Sequence, residues 1–101
     1  MRNLSREMLL SELAALRPEL ERDGVTHLAL FGSRARGDNR IDSDIDLLID
    51  IADGRKFSLL DVAGIYVKVE DRFALPSSVV LRRGAPDSFL RELSADLIPV
   101  F

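Results

Sequence analysis

The sequence predicts an α/β domain in which a small mixed sheet is flanked by helices. Three observations support this fold class. Apolar residues recur at helical spacing near the start, two short apolar segments enclose a Gly-Ser turn, and helical and strand patterns alternate after residue 57. The 101 residues, of which 47% are apolar and 31% charged, fit a single domain over residues 1–101.

The first predicted element is a helix that begins near Ser5, where Glu7 adds an acid in the first turn. Apolar residues then recur at helical spacing at Leu9, Leu10, Leu13, Ala14, Leu16 and Leu20. Pro18 lacks an amide donor, so it should kink this helix or restart it. Asp23-Gly24 is a stop signal.

Residues 25–31 (VTHLALF) form the first strand candidate, which Gly32 ends. Ser33 is expected to cap a short helical turn over residues 33–36 that Gly37 closes. Residues 38–43 are polar and are predicted to form a loop.

The second strand candidate has one wholly apolar face, formed by Ile45, Leu47, Ile49 and Ile51. Side chains alternate between the two faces of a strand, so Asp44 and Asp46 should point the same way on the other face.

The C-terminal half predicts three further segments. Residues 57–73 favour a helix, although the apolar run 65–69 leaves a strand as the alternative. Residues 78–81 favour a strand and residues 86–95 a short helix. The apolar tail 97–101 packs either on the domain itself or against a partner.

Two carboxylates held on one face repel each other unless a cation lies between them. Mg²⁺ is bound by one or two carboxylates together with substrate phosphates. Asp44 and Asp46 are therefore the candidate metal ligands and catalytic residues. The Gly32-Ser33 turn, which ten residues separate from Asp44, is a candidate phosphate site. This combination predicts phosphoryl or nucleotidyl transfer.

The composition limits the partners, the further site types and the cellular location that we expect for this protein. The net charge of −3 argues against nonspecific nucleic-acid binding, which usually needs a basic domain. The absence of cysteine removes disulfides, zinc–thiolate sites and thiol nucleophiles. With no apolar run long enough for a signal peptide or a membrane helix, we expect a soluble protein of the cytoplasm.

The segment Leu30 to Gly37 (LFGSRARG), followed by Ser43 to Leu47 (SDIDL), resembles the minimal nucleotidyltransferases of the DNA polymerase β superfamily. The resemblance implies a polymerase-β-like nucleotidyltransferase fold. It implies that Gly32 and Ser33 bind the triphosphate and that Asp44 and Asp46 bind Mg²⁺. Arg34 and Arg36 occupy the matching Arg-Ala-Arg segment, so they are expected to contact phosphate or to stabilise the loop.

Minimal members of this family, the MntA-like antitoxins, pair with HEPN toxins. The resemblance therefore implies an enzyme that takes ATP and Mg²⁺ and transfers AMP to a hydroxyl of a HEPN-type partner protein. A homodimer is also compatible with the apolar residues Leu60, Ile65 and Val67, which lie off the main helical stripe.

One position departs from the family pattern. The third acid of the superfamily corresponds here to Ser78, a neutral side chain. A positioned general base is worth about 10²–10⁴-fold in rate. Its loss supports an alternative, a catalytically impaired module that neutralises its partner by binding it. Glu70 or Asp71 could supply the missing charge. A third reading, a metal-dependent phosphohydrolase, lacks an identifiable base.

Overall fold

The computed structural model describes residues 4–101, so the first three residues of the predicted domain lie outside the described part. The elements in chain order are α1 (Arg6–Ala15), α2 (Arg17–Arg22), β1 (Val25–Phe31), α3 (Ser33–Arg36), β2 (Ile45–Ile51), α4 (Leu59–Phe73), β3 (Ser77–Leu81), a 3-10 turn (Arg82–Gly84), α5 (Asp87–Ser94) and β4 (Ile98–Pro99).

The four strands form one sheet in the order β3-β2-β1-β4. Strand β1 is antiparallel to both β2 and β4, whereas β2 and β3 are parallel. The prediction of a small mixed sheet flanked by helices is confirmed. In residues 4–101 no helix is both long and apolar enough to cross a bilayer.

The N-terminal helix is capped and interrupted where the sequence predicts. The amide of Met8 donates to the Ser5 hydroxyl at 3.1 Å, which caps α1. Pro18 lies in the first turn of α2, where a missing amide leaves no helical hydrogen bond unmade. The helix therefore restarts at Arg17 instead of bending.

The sheet has an apolar layer on each face. The larger layer lies under α1, α2 and α4, and its fully buried members include Leu9, Leu13, Leu20, Leu28, Leu30, Ile45, Leu47, Ile49, Ile65, Val69 and Phe73. The smaller layer lies under α5 and contains Ala29, Phe31, Leu48, Val80, Leu90, Leu93 and Leu97. Asp46 and Asp50 flank Leu48 along β2, so they lie on the smaller face.

Helix α4 confirms the helix prediction for residues 57–73 and rejects the strand alternative. Ser58 and Asp61 form a reciprocal capping box at its start. The prediction that Ile65 lies off the main apolar stripe of this helix is wrong, because Ile65 lies in the core four residues before Val69. Leu59, by contrast, is 87% exposed at the first turn.

The apolar tail packs on the domain itself. Ile98 and Pro99 add a short strand beside β1, and the amide of Val100 donates to the Leu28 carbonyl at 2.7 Å. The Arg17 guanidinium lies 5.2 Å from the centre of the Phe101 ring. This edge strand was not predicted from the sequence.

Candidate active site

The turn after β1 depends on two glycines. Gly32 has φ +77° and ψ −159°, a region that is essentially restricted to glycine, and Gly37 ends α3 with φ +85°. Gly32, not Ser33, holds the capping position, because its dihedral angles are not helical. The expected cap by Ser33 is therefore wrong: Ser33 is the first helical residue, and no side chain caps α3.

The turn and the second aspartate are in direct contact. A Cβ atom added at Gly32 would lie 2.2 Å from Oδ2 of Asp46. Phe31 and Asp46 are also partners in the antiparallel register of β1 and β2. The main chain of the turn and the carboxylate thus share one small space, which only glycine at position 32 leaves open.

The two aspartates form an interacting pair. Asp44 is exposed and lies just before β2, while Asp46 is half-buried within the strand. Burial raises the pKa of Asp46, the negative charge of Asp44 raises it further, and Arg36 opposes both. A cation bound between Asp44 and Asp46 would relieve the repulsion between their two negative charges.

Ser78 lies beside Asp46. In the parallel ladder of β2 and β3, Asp46 and Ser78 are register partners, so they occupy neighbouring strands on the same face. The Ser78 side chain is half-buried. A neutral hydroxyl therefore stands in the adjacent strand where a further carboxylate would enlarge the acid pair.

The two candidate replacements for this acid lie elsewhere. Glu70 accepts hydrogen bonds from the amide and the hydroxyl of Ser77 at 3.1 and 3.2 Å. Ser77 pairs with the buried Ile45, so this contact is on the α4 side of the sheet. Asp71 lines a shallow cavity with Leu16 and Lys68, also away from the acid pair.

Arg34 stabilises the loop. Its guanidinium is buried, with Nε donating to the Ser43 carbonyl at 3.0 Å and Nη2 donating to the Ile41 carbonyl at 3.1 Å. Burial lowers the pKa of Arg34, and Asp42 partly offsets this. Of the two roles expected for Arg34, the structure shows the contact with the loop, and phosphate contact stays a prediction.

Arg36 is exposed and lies between two carboxylates. It donates to Asp38 and to Asp96, both at 3.1 Å, and these hydrogen bonds raise its pKa. The contact with Asp96 joins α3 to the end of α5. The charge of Arg36 also lowers the pKa of Asp46, against the effects of burial and Asp44.

The donor set fits a hard divalent cation that arrives with a phosphate ligand. Asp44 and Asp46 supply only oxygen donors, which suits Mg²⁺. In the part of the chain that the structure describes, no group of three or more His, Cys, Asp or Glu residues is arranged to hold a metal. Two carboxylates completed by substrate oxygens are one of the usual arrangements for Mg²⁺.

Arg6 is a residue of this region that the sequence did not single out. Its Nη1 donates to the carbonyl of Ala35 in α3 at 2.8 Å. The contact joins residues 29 positions apart, so it cannot be predicted from a local sequence pattern. Arg6 ties α1 to the turn that carries Ser33.

The mixed sheet places the Gly32-Ser33 turn against the strand that carries Asp46. A family profile described as nucleotidyltransferase domain matches residues 13–98. The chain belongs to this family.

The chain is also similar to individual proteins. It is 37% identical over 54 residues to a Methanocaldococcus jannaschii protein named as a candidate protein adenylyltransferase; the match covers 54% of this chain and 56% of the archaeal protein. The chain thus spans little more than half the length of that relative.

Two solved structures share the fold. A structure described as a candidate minimal nucleotidyltransferase superposes with a TM-score of 0.81 at 30% identity, covering 98% of this chain and 99% of that chain. The Shewanella oneidensis complex of a tri-AMPylated HEPN toxin with its MNT antitoxin gives a TM-score of 0.65 at 17% identity, covering 91% of this chain and 71% of that chain. The second similarity establishes the fold alone.

Proposed function

We propose that this protein is a Mg²⁺-dependent nucleotidyltransferase that transfers AMP from ATP to a hydroxyl group of a partner protein. The observation that carries the proposal is the contact between the turn and the acids, where Asp46 Oδ2 fills the space that a side chain at Gly32 would take. Bound phosphates and a metal held by the aspartates would meet at this point.

Each residue has a defined task in this proposal. The Ser33 hydroxyl and the amides at the start of the turn bind the phosphates; the later amides, of Ala35 and Arg36, already donate to the Gly32 carbonyl. Asp44 and Asp46 hold Mg²⁺, which when bound neutralises negative charge on the phosphates. Arg36, whose charge lowers the pKa of Asp46, contributes a positive charge to the same site.

The proposed acceptor is a HEPN-type toxin in the cytoplasm, with this chain as the antitoxin. The M. jannaschii relative is named for protein adenylylation, and the S. oneidensis complex contains an AMPylated HEPN toxin. Leu59, Leu60 and Val67 of α4 are 87, 84 and 57% exposed. Apolar residues exposed to this degree suit a protein partner, either the toxin or a second copy of this chain.

A second candidate function is favoured by Ser78. Its place beside Asp46 leaves a hydroxyl where a third carboxylate would extend the acid pair. In this alternative the protein still binds Mg²⁺ and ATP, but transfer is slow, and the partner is neutralised by complex formation.

Labelled ATP separates the two candidates. The protein is incubated with ATP labelled on the α-phosphate, Mg²⁺ and the HEPN-type protein encoded beside it, and label on that protein is measured. Transfer that Asp44→Asn abolishes, while Asp50→Asn at the far end of the same strand retains it, supports catalysis. Tight complex formation without transfer supports the binding module.

Ser78→Asp sharpens the comparison. If Ser78 stands where a third carboxylate would complete the site, this substitution should increase Mg²⁺ affinity at least tenfold, and transfer should rise with it. Unchanged affinity for Mg²⁺ would show that position 78 is outside the metal site.

A further inference from the structure

The buried guanidinium of Arg34 joins the two halves of the candidate site. Arg34 belongs to α3, the turn that begins with Ser33, and it bonds to the carbonyl of Ser43, the residue directly before Asp44. Its second bond, to Ile41, holds the middle of the same loop. One side chain therefore connects the phosphate turn to the start of the acid pair.

The loop has few other restraints. Between Gly37 and Asp44 the main chain makes one local turn, in which the Ser43 amide donates to the Arg40 carbonyl at 3.1 Å and the Arg40 amide donates to the Ser43 hydroxyl at 2.8 Å. These bonds shape the tip of the loop but do not reach α3. The start of the loop is tied to α3 by the Asp38 amide, which donates to the Ser33 carbonyl at 3.2 Å, and by Arg36, which donates to Asp38. Beyond residue 38, the connection to α3 is made by the two bonds from Arg34.

The cost of this arrangement argues for a role beyond stability. Arg34 is the buried charged side chain of residues 4–101, and both of its hydrogen-bond partners are neutral carbonyls. Burying a cation without a bonded carboxylate is unfavourable. A planar guanidinium can bond two carbonyls in fixed directions, which a lysine ammonium cannot reproduce.

We propose that Arg34 is a positioning residue that sets the separation between the Gly32-Ser33 turn and Asp44. The role rests on the proposed function, because the separation matters only if phosphates and metal are bound together. It assigns Arg34 to the scaffold of the site and leaves phosphate contact to Ser33, the amides and Arg36. A misplacement of about 1 Å is enough to cost about 10²-fold in an enzyme site.

A double-mutant cycle tests whether Arg34 and Asp44 are coupled in nucleotide binding. Affinity for ATP with Mg²⁺ is measured by calorimetry in the parent, Arg34→Met, Asp44→Asn and the double variant. Arg34→Met should weaken binding at least tenfold in the parent but less than twofold in the Asp44→Asn background. Arg82→Met, which removes an exposed arginine bound to Asp50, should leave the affinity unchanged.

Hydrogen exchange provides a readout that needs no nucleotide. Arg34→Met should speed amide exchange in residues 38–46 at least tenfold and leave β1 and α4 unchanged. Arg34→Lys keeps the charge and serves where the methionine variant does not fold; it should restore at most part of the protection.

Unchanged exchange in residues 38–46, or equal losses of affinity in both backgrounds, would overturn the positioning role. A parent protein that binds no ATP with Mg²⁺ would instead refute the proposed function. Hydrogen exchange would then decide on its own whether Arg34 orders this segment.

Discussion

Replacing Gly32 with alanine tests the contact between the turn and the acids. The new Cβ would lie 2.2 Å from Oδ2, 3.0 Å from Cγ and 3.3 Å from Cβ of Asp46. The backbone at position 32 also has φ +77° and ψ −159°, which alanine rarely adopts. Either the Asp46 carboxylate rotates away or the turn changes shape, and both would separate the phosphate site from the metal ligands.

The expected cost of Gly32→Ala has two parts. Backbone strain in this region is about 1–3 kcal/mol, and inserting a methyl group into occupied space is about 1–3 kcal/mol more. Their sum, roughly 2–6 kcal/mol, is a large share of a total stability of about 5–15 kcal/mol. Since 1 kcal/mol shifts the melting temperature of a domain this size by about 4–8 °C, a fall of about 10 °C or more is expected.

Two other glycines are matched controls for this substitution. Gly54 has φ +76° but nothing within 4 Å of an added Cβ, so Gly54→Ala measures left-handed backbone strain, about 1–2 kcal/mol, without the clash. Gly64 lies within helix α4 with equally open space, so Gly64→Ala should stabilise by about 0.5–1 kcal/mol.

Melting temperatures and ATP affinity with Mg²⁺ are measured for all three variants. Gly32→Ala should be the least stable and the only one of the three to lose nucleotide affinity. If it melts no lower than Gly54→Ala and binds ATP like the parent, the proposed contact at Asp46 is wrong.

Two further substitutions test the electrostatics and the sheet edge. Burial and, after it, the charge of Asp44 raise the pKa of Asp46, so the folded state binds the carboxyl proton more tightly than the unfolded chain does. The free energy of unfolding should therefore fall as pH rises through the interval above the ordinary carboxyl pKa. Asp46→Asn should remove this dependence and stabilise the apo protein at pH 7, seen as a higher melting temperature; a lower one would contradict the assigned repulsion. Tyr66→Phe removes the acceptor of the Val79 amide, 3.0 Å away at the edge of β3, and should cost about 1 kcal/mol in denaturant unfolding; an unchanged midpoint would show that water replaces the hydroxyl.

The elements with strong local signals were predictable. The alternation from Ile45 to Ile51, the Ser5 cap and the break at Pro18 all act within a few residues, and the structure follows them. Strand β4 has only two residues, and it exists because β1 offers an unpaired edge, so its cause lies about 70 residues earlier in the chain.

In the candidate site, too, locally encoded features could be predicted from the sequence, and features that depend on the fold could not. The spacing from the Gly32-Ser33 turn to the acid pair is local, and the fold brings Gly32 against Asp46. Burial of Arg34 was not readable from the sequence, because an arginine in a polar segment usually faces water and only the folded loop supplies its carbonyl partners. Ser78 could be aligned with the acid pair from the family pattern, but its register with Asp46 depends on how β2 and β3 pair.

The proposed function requires the Gly-Ser turn and the two aspartates to form one site for a nucleotide and a metal. Calorimetric titration of ATP into the protein, with and without Mg²⁺, measures this directly in the parent, Ser33→Ala and Asp44→Asn. We expect Mg²⁺ to strengthen ATP binding to the parent at least tenfold, Asp44→Asn to abolish this gain, and Ser33→Ala to weaken ATP binding in both conditions. Equal affinity with and without Mg²⁺ in the parent would contradict the proposed function.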